Sequence, residues 1–393
     1  MNETIYMPVG EVCSSISDTY REKKNMVTLI NTSDVLEGRV LNHERVPNSN
    51  LKGQFKKTFQ RDDILYSEIR PQNRRFAYVD FSPIDYIAST KLMVIRAKKD
   101  VVSPKYLYYF LKNSSTVAEL QLLAETRSGT FPQITFSEVA NLTIPVPSVA
   151  VQEVIVQTMQ CLEDKITCNE QINDNLEQQA QSYFQELFVD NADPEWTTGT
   201  ISDLGTVVGG STPSKAKPEY YTESGIAWIT PKDLSINKSK FVSHGENDIT
   251  ELGLKNSSAA IMPEGTVLFS SRAPIGYIAI AAGEVTTNQG FKSVVPKPEI
   301  GTPFVYFFLK NTLPVIEGIA SGSTFKEVSG STMKNVPAVI PDAETLAKFS
   351  DFCAPIFAQQ RILEEQNQSL ATLRDNLLPK LMSGEIDVSA VQL

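Results

Sequence analysis

The chain is poor in the residues that most often carry chemistry: 393 residues hold two His, four Cys and two Trp. His43 and His244 lie far from any cysteine or acidic cluster at metal-ligand spacing, and Cys161 and Cys168 stand too far apart for a zinc knuckle. With Cys13 and Cys353 they make no disulfide framework. No apolar run is long enough for a bilayer span, and the start MNETIYMPVG lacks the basic region and apolar core of a secretory signal. We therefore expect a cytoplasmic protein with no membrane contact. The glycine-rich stretch from Gly205 to Thr212 has no Lys ahead of its Ser and Thr, so it is not a phosphate loop, and it fails the dinucleotide fingerprint as well. Pro341-Asp342-Ala343-Glu344 carries acids as a nuclease site does, but it opens a helix, where Asp is a cap. Neither an Asn/Asp-Pro-Pro-aromatic signature nor a helicase motif occurs. The expectation is a non-catalytic chain with no cofactor, no metal and no catalytic residue.

What the chain does have is an echo. YYFLKN at 108–113 returns as YFFLKN at 306–311, and the surroundings return in the same order. Asp63 to Ser67 with Pro71 answers Thr266 to Ser270 with Pro274, an offset of 203. Asn31-Thr32-Ser33-Asp34-Val35 answers Thr230-Pro231-Lys232-Asp233-Leu234, an offset of 199, each after an apolar run that reads as a strand. Ser128-Gly129-Thr130-Phe131 answers Ser321 to Phe325, and Asn141 to Pro147 answers Asn335 to Pro341. A period near 200 residues marks a duplicated domain rather than a solenoid. The length suits two domains, each with its own core.

The net charge of −10 is unevenly spread. Residues 1–150 carry 19 Lys+Arg against 16 Asp+Glu and residues 195–341 carry 12 against 13, whereas 151–194 carry 1 against 9 and 342–393 carry 4 against 8. The acidity thus sits in two segments, and both read as long helices. From Val151 to Phe188 apolar residues recur in steps of three and four, with Leu162, Ile166, Ile172 and Leu176 on the seam and no Pro or Gly inside. Such a helix would extend about 57 Å and needs a partner. The second segment offers one through Ile356, Leu363, Leu370, Leu373 and Leu377, before Pro379 and Gly384 close it. An antiparallel coiled coil follows, with burial of each helix against its own neighbouring domain as the alternative.

The stretches GGSTPSKAKPEYY, GIAWITPKDL, GTVLFSSRAPIGYIAI, TTNQGFKSVV, SGSTFKEVS and LRDNLLPKLMSGEI, in this order over about 190 residues, resemble the specificity subunit of a Type I restriction-modification enzyme. The first half follows the same plan with weaker motifs: it lacks GGSTPS and has only NTSDV in place of the Trp-containing AWITPKD. The resemblance implies an α+β chain. Two α/β target-recognition domains (1–150 and 191–341) with pseudo-twofold symmetry would be joined by two long antiparallel helices (151–190 and 342–393). It also implies double-stranded DNA as ligand, two methyltransferase (modification) subunits docked on the helices, and restriction/translocase subunits that join through that complex.

DNA reading needs backbone contacts for register and base-edge contacts for sequence. In the first domain the candidates are Arg70, Gln72, Asn73, Arg74 and Arg75 of RPQNRRF, with Lys52, Lys56, Lys57 and Arg61 just upstream. Arginines suit phosphate or guanine, and the amides suit adenine. Arg127, Ser128 and Thr130 form its second loop. In the second domain the candidates are Ser211, Thr212, Ser214, Lys215 and Lys217, then Lys232, then Ser271 and Arg272, then Thr287, Asn288 and Gln289, and finally Ser321, Ser323, Thr324 and Lys326. Small hydroxyls and amides beside Gly allow close approach to a phosphate, although the same residues also end strands by ordinary turn chemistry. Two rival classes remain on the residues alone: an enzyme acting within this polypeptide, and an assembly scaffold whose loops are inert.

Overall fold

Short β-branched runs such as MVIRA and IGYIAIA, bounded by Gly, Pro and Asx turns, form strands, and the seamed acidic segments form helices. The computed structural model describes residues 4–49, 53–126, 132–272, 274–322 and 326–388. The chain divides into two compact units, Met1–Ile166 with Ser369–Leu393, and Thr167–Gln368.

In the first unit a sheet runs in the order Cys13–Ile16, Leu92–Ala97, Ile64–Ser67, Phe76–Tyr78. In the second the order is Gly205–Gly209, Lys292–Pro296, Val267–Ser271, Ile275–Ala281, with Phe241–Val242 added in parallel at the edge. The duplication extends to register. Leu29 pairs in parallel with Ile87 and Ile30 with Ala88, and 199 residues later Trp228 pairs with Thr286 and Ile229 with Thr287. Pro8 lies opposite Thr143 in one unit, and Thr200 opposite Pro337 in the other. Both parallel strands end in a capping box: the Asn31 amide donates to Asp34 Oδ2 and the Thr230 amide to Asp233 Oδ2, each at 2.7 Å.

The echoed hexapeptide lies on a helix that covers the sheet, Pro104–Lys112 in one unit and Thr302–Ile319 in the other. The first copy breaks at Asn113 and restarts as Ser114–Thr126; the second runs on through Pro314. Its lysine, present in both copies, makes the same kind of contact in each. Lys112 lies over the Tyr108 and Tyr109 rings and pairs with Glu163, to which Tyr109 Oη also donates at 2.9 Å. Lys310 lies over Tyr306 and Phe307 and pairs with Glu177, which also receives Tyr306 Oη at 3.1 Å and Lys240 Nζ at 2.7 Å. Gln360 Oε1 accepts a further bond from Lys240 at 2.9 Å.

Both glutamates belong to the first long helix, Val149–Gln185, which ends in one wide turn, Glu186–Asp190, turning Phe184 and Phe188 together into an aromatic cluster with Phe304 and Phe349. The second long helix is Ala343–Ser383, and Asp342 caps it through the Thr345 amide at 2.9 Å. Within the second unit the helices run antiparallel: Tyr183 meets Phe349 at one end and Asn169 meets Asn367 at the other. Within the first unit Ile155, Met159 and Leu162 share a core with Leu377, Leu378 and Leu381.

Leu176, Ile356 and Leu363 are covered as expected, and Ile166 and Leu370 are half-buried. Two expected seam residues are not: Ile172 is 38 % exposed and Leu373 50 %. Side-chain amides take that place. Asn169 Nδ2 donates to Asn367 Oδ1 at 2.8 Å, and Gln360 Nε2 donates to the Asn173 carbonyl at 3.2 Å, which rotates the apolar positions outward. Pro379 does not close the second helix either. Burial of Leu378, Leu381 and Met382 carries it to Ser383, and Gly384 at φ +76° ends it.

Burial opposes ionisation of Glu177, but Lys240 and Lys310 outweigh it and hold the carboxyl down to about 2. Because the folded value lies below the ordinary 4.5, this stabilisation is complete above that pH and is lost as the pH falls toward 2. Glu177→Gln strands a buried lysine and should cost roughly 3–5 kcal/mol near neutrality. Urea unfolding followed by Trp fluorescence reads this unit alone, since Trp196 and Trp228 are the only tryptophans. The gap between variant and parent should close near pH 2; equal stabilities at pH 7 would contradict the assignment.

Candidate nucleic-acid interface

Three of the loops singled out in the second half converge on one cleft of about 620 Å³, lined by Thr212, Lys215, Lys232, Asn288 and Gln289 together with Tyr221, Trp228, Glu246 and Asn247. Main chain builds its frame. The Ser211 amide donates to the Thr287 carbonyl at 2.9 Å, the Asn288 amide to the Ile229 carbonyl at 3.0 Å, and Trp228 Nε1 to the Ser211 carbonyl at 3.0 Å. Such crossing requires Gly210, where a Cβ would come within 2.0 Å of the Asn288 carbonyl oxygen. Asp233, besides capping its helix at Thr230, accepts the Glu246 amide at 2.9 Å and so ties the loop after the edge strand to the same point. Across the opening Lys232 meets Glu246 at 2.5 Å, and the Thr212 hydroxyl donates to Gln289 Oε1.

Ser214 and Lys217 are exposed beside the cleft, Lys217 over the Tyr220 ring. Arg272, Ser321 and Lys326 gather instead around Glu327: Arg272 Nη1 lies 3.6 Å from its carboxylate, and Ser321 exchanges backbone hydrogen bonds with it. Lys292 joins the two groups, donating to the Gln289 carbonyl at 3.4 Å and standing 3.9 Å from Glu327. Sequence reasoning missed Lys292, although it immediately follows the TTNQGF stretch and opens the next strand. Burial pushes its ammonium below the ordinary lysine value, against the pull of Glu327. Two expected contacts lie behind the surface. Ser271 is fully buried with its hydroxyl on the Gly290 carbonyl, and Thr287 is 1 % exposed, because both side chains point into the sheet and not out of the loop. Ser323 and Thr324 lie outside the described residues.

In the first unit Arg70 and Arg74, at φ 44° and 52°, flank the turn Pro71–Asn73 and leave Gln72 and Asn73 exposed. Arg74 reaches the Lys112 carbonyl at 3.4 Å and Glu37 at 3.6 Å, and Arg75 reaches the Ser33 carbonyl at 3.0 Å. Both guanidiniums therefore hold the loop as much as they face solvent. Lys57 donates to the carbonyls of Thr90 and Leu92, whereas Lys56 and Arg61 are exposed. Arg127, Ser128 and Thr130, and Lys52, lie outside the described residues. Strand register identifies a basic loop that the sequence reading passed over. Ile16 faces Val94 as Val208 faces Ser293, so the segment after Ile16 is the counterpart of GGSTPSKAK, and it carries exposed Arg21, Lys23 and Lys24.

Among the described residues no three His, Cys, Asp or Glu side chains gather as a metal site, and no helix is long and apolar enough to cross a membrane. Two copies of one α/β domain with cationic, amide-rich loops, mounted on long acidic helices, define a duplicated DNA-reading protein. A family model described as the Type I restriction modification DNA specificity domain matches residues 6–178 and again 194–373, so the chain belongs to that family, the non-catalytic specificity component of Type I systems. The Type I restriction enzyme HindI specificity subunit of Haemophilus influenzae is 29 % identical over 92 % of this chain and 94 % of its own length. The MjaIX specificity subunit of Methanocaldococcus jannaschii is 39 % identical over 47 % of this chain and 45 % of its own. A solved Type I restriction-modification S subunit from M. genitalium shares the fold, with TM-score 0.54 and 16 % identity over 99 % of this chain and 97 % of that one.

Lys215→Ala should weaken DNA binding by the assembled complex and lower the slope of log affinity against log salt by about one. Ser271→Ala should leave both unchanged. Titrations at several salt concentrations check the pair; a loss of affinity in the serine variant would reverse the assignment of the two faces.

Proposed function

We propose that the chain reads a split, asymmetric DNA site, one half with each recognition domain, and leaves chemistry to partner subunits. Residues 1–150 and 191–341 are the readers. The helical segments, 151–190 and 342–393, separate them and carry two modification subunits, to which restriction subunits attach, in the cytoplasm. The observation that carries this reading is the combination of identical strand register with different loops: Leu29–Ile87 matches Trp228–Thr286, while YREKKN stands where STPSKAK stands in the other half. One scaffold with two loop sets suits two different half-sites. Docking on the helices is supported by large apolar side chains left in solvent there, Ile172, Phe352 and Ile362 in one unit and Leu373 in the other.

The contacts proposed are Gln72, Asn73 and the Arg70–Arg75 cluster with Arg21, Lys23 and Lys24 in the first domain. In the second they are Thr212, Ser214, Lys215, Lys217, Lys232, Asn288 and Gln289, with Arg272, Lys292, Ser321 and Lys326 beside them. Mapping methylated bases in a genome with and without the gene tests the model, and the expected result is a motif of two unlike halves around unread bases. A contiguous or palindromic motif would refute it. Insertion of one or two helical turns near Gln171 should lengthen the unread gap and leave both halves unchanged, since the helix rises about 1.5 Å per residue.

A further inference from the structure

The loops closing the cleft of the second unit use their acceptors on one another and leave donors outward. Asn288 Oδ1 accepts from the Gly290 amide at 2.8 Å, and that backbone donor fixes which end of the side chain is oxygen. Its Nδ2 remains. Gln289 Oε1 is taken by the Thr212 hydroxyl, which again leaves the amino group. Facing them, Glu246 supplies a carboxylate on a loop pinned through its amide to Asp233, and in the free protein it holds Lys232 at 2.5 Å.

This valence pattern discriminates among base pairs. Adenine asks one amide for a donor and an acceptor together; here one lone pair of each amide oxygen is already engaged, and the amino groups are what the cleft presents most freely. Guanine presents two acceptors, O6 and N7, while its cytosine partner presents the N4 donor. We propose, resting on the DNA-reading role above, that the cleft of the second domain reads a G·C pair. The Asn288 and Gln289 amino groups donate to guanine, and Glu246 accepts from cytosine N4. Lys232 moves from Glu246 to a phosphate as DNA enters. A thymine in place of the cytosine would set its O4 against the Glu246 carboxylate, and in the reversed pair the two amino groups would face only one acceptor, thymine O4, beside a methyl group, so that both orientations of A·T are disfavoured.

The test uses the full chain co-assembled with its modification subunits and reads base preference at every position of the methylated motif. Asn288→Asp keeps an oxygen for the Gly290 amide and replaces the outward donor with an acceptor. It should lower the preference for one G·C position on the order of 10-fold or more, with the other half-site unchanged. Glu246→Ala should relax the same position, as should Gln289→Ala, whose exposed site tolerates truncation if the aspartate variant fails to assemble. A half-site with no G·C pair, or unchanged preferences in all three variants, overturns the assignment. A bipartite parent motif with unchanged variants sinks the base assignment alone, whereas a parent motif that is not bipartite sinks the two-reader model itself.

Discussion

Each recognition domain is fastened to the first long helix by one carboxylate, and the echoed hexapeptide serves it. Apolar helix faces can slide by a turn with little loss, but a lysine buried beside a glutamate cannot lose its partner without a large penalty. Lys112 with Glu163, and Lys310 and Lys240 with Glu177, therefore fix where on the helix each sheet sits. This accounts for YYFLKN and YFFLKN. The aromatic residues wall the lysine, and the tyrosine hydroxyl that reaches the glutamate comes from Tyr109 in one copy and from Tyr306, at the preceding position of the motif, in the other. The knot of the second unit extends to the edge strand, where both Glu364 oxygens accept from the Lys240 and Phe241 amides at 2.7 and 3.0 Å.

The middle of the helical pair obeys a different rule. Asn169, fully buried, bonds to Asn367, and Gln360 bridges the Asn173 carbonyl and Glu177. A polar layer within a helical seam selects register at the expense of stability. Within the second unit it leaves Ile172 to solvent.

Duplication was legible from the order of short motifs because each motif marks a fixed point of the scaffold: a cap at Asn31 or Thr230, a strand at Ile64 or Val267, a covering helix at Tyr108 or Tyr306. The long helices were legible from their period. Their detailed seam was not, since apolar spacing cannot reveal that amides occupy the inner face, and a proline near a helix end is decided by what lies buried beyond it. At the site, loop identity could be read but side-chain direction could not. Thr212, Lys215, Lys232, Asn288 and Gln289 meet in one cleft, whereas Ser271 and Thr287, of equally suitable chemistry, end on strands and face inward. The counterpart loop with Arg21, Lys23 and Lys24 lay at an offset that its own residues do not betray; only the pairing of Ile16 with Val94 identifies it.

The frame of the cleft is made almost wholly of peptide groups, from Ser211 to Thr287 and from Asn288 to Ile229, with glycine at the crossing. Positions 212, 215, 232 and 289 project from that frame without supporting it. On the proposed reading role, drift at those four positions would retarget the protein while its architecture stays put, and new DNA preferences would arise by exchange of a few exposed side chains and not by invention of a new domain.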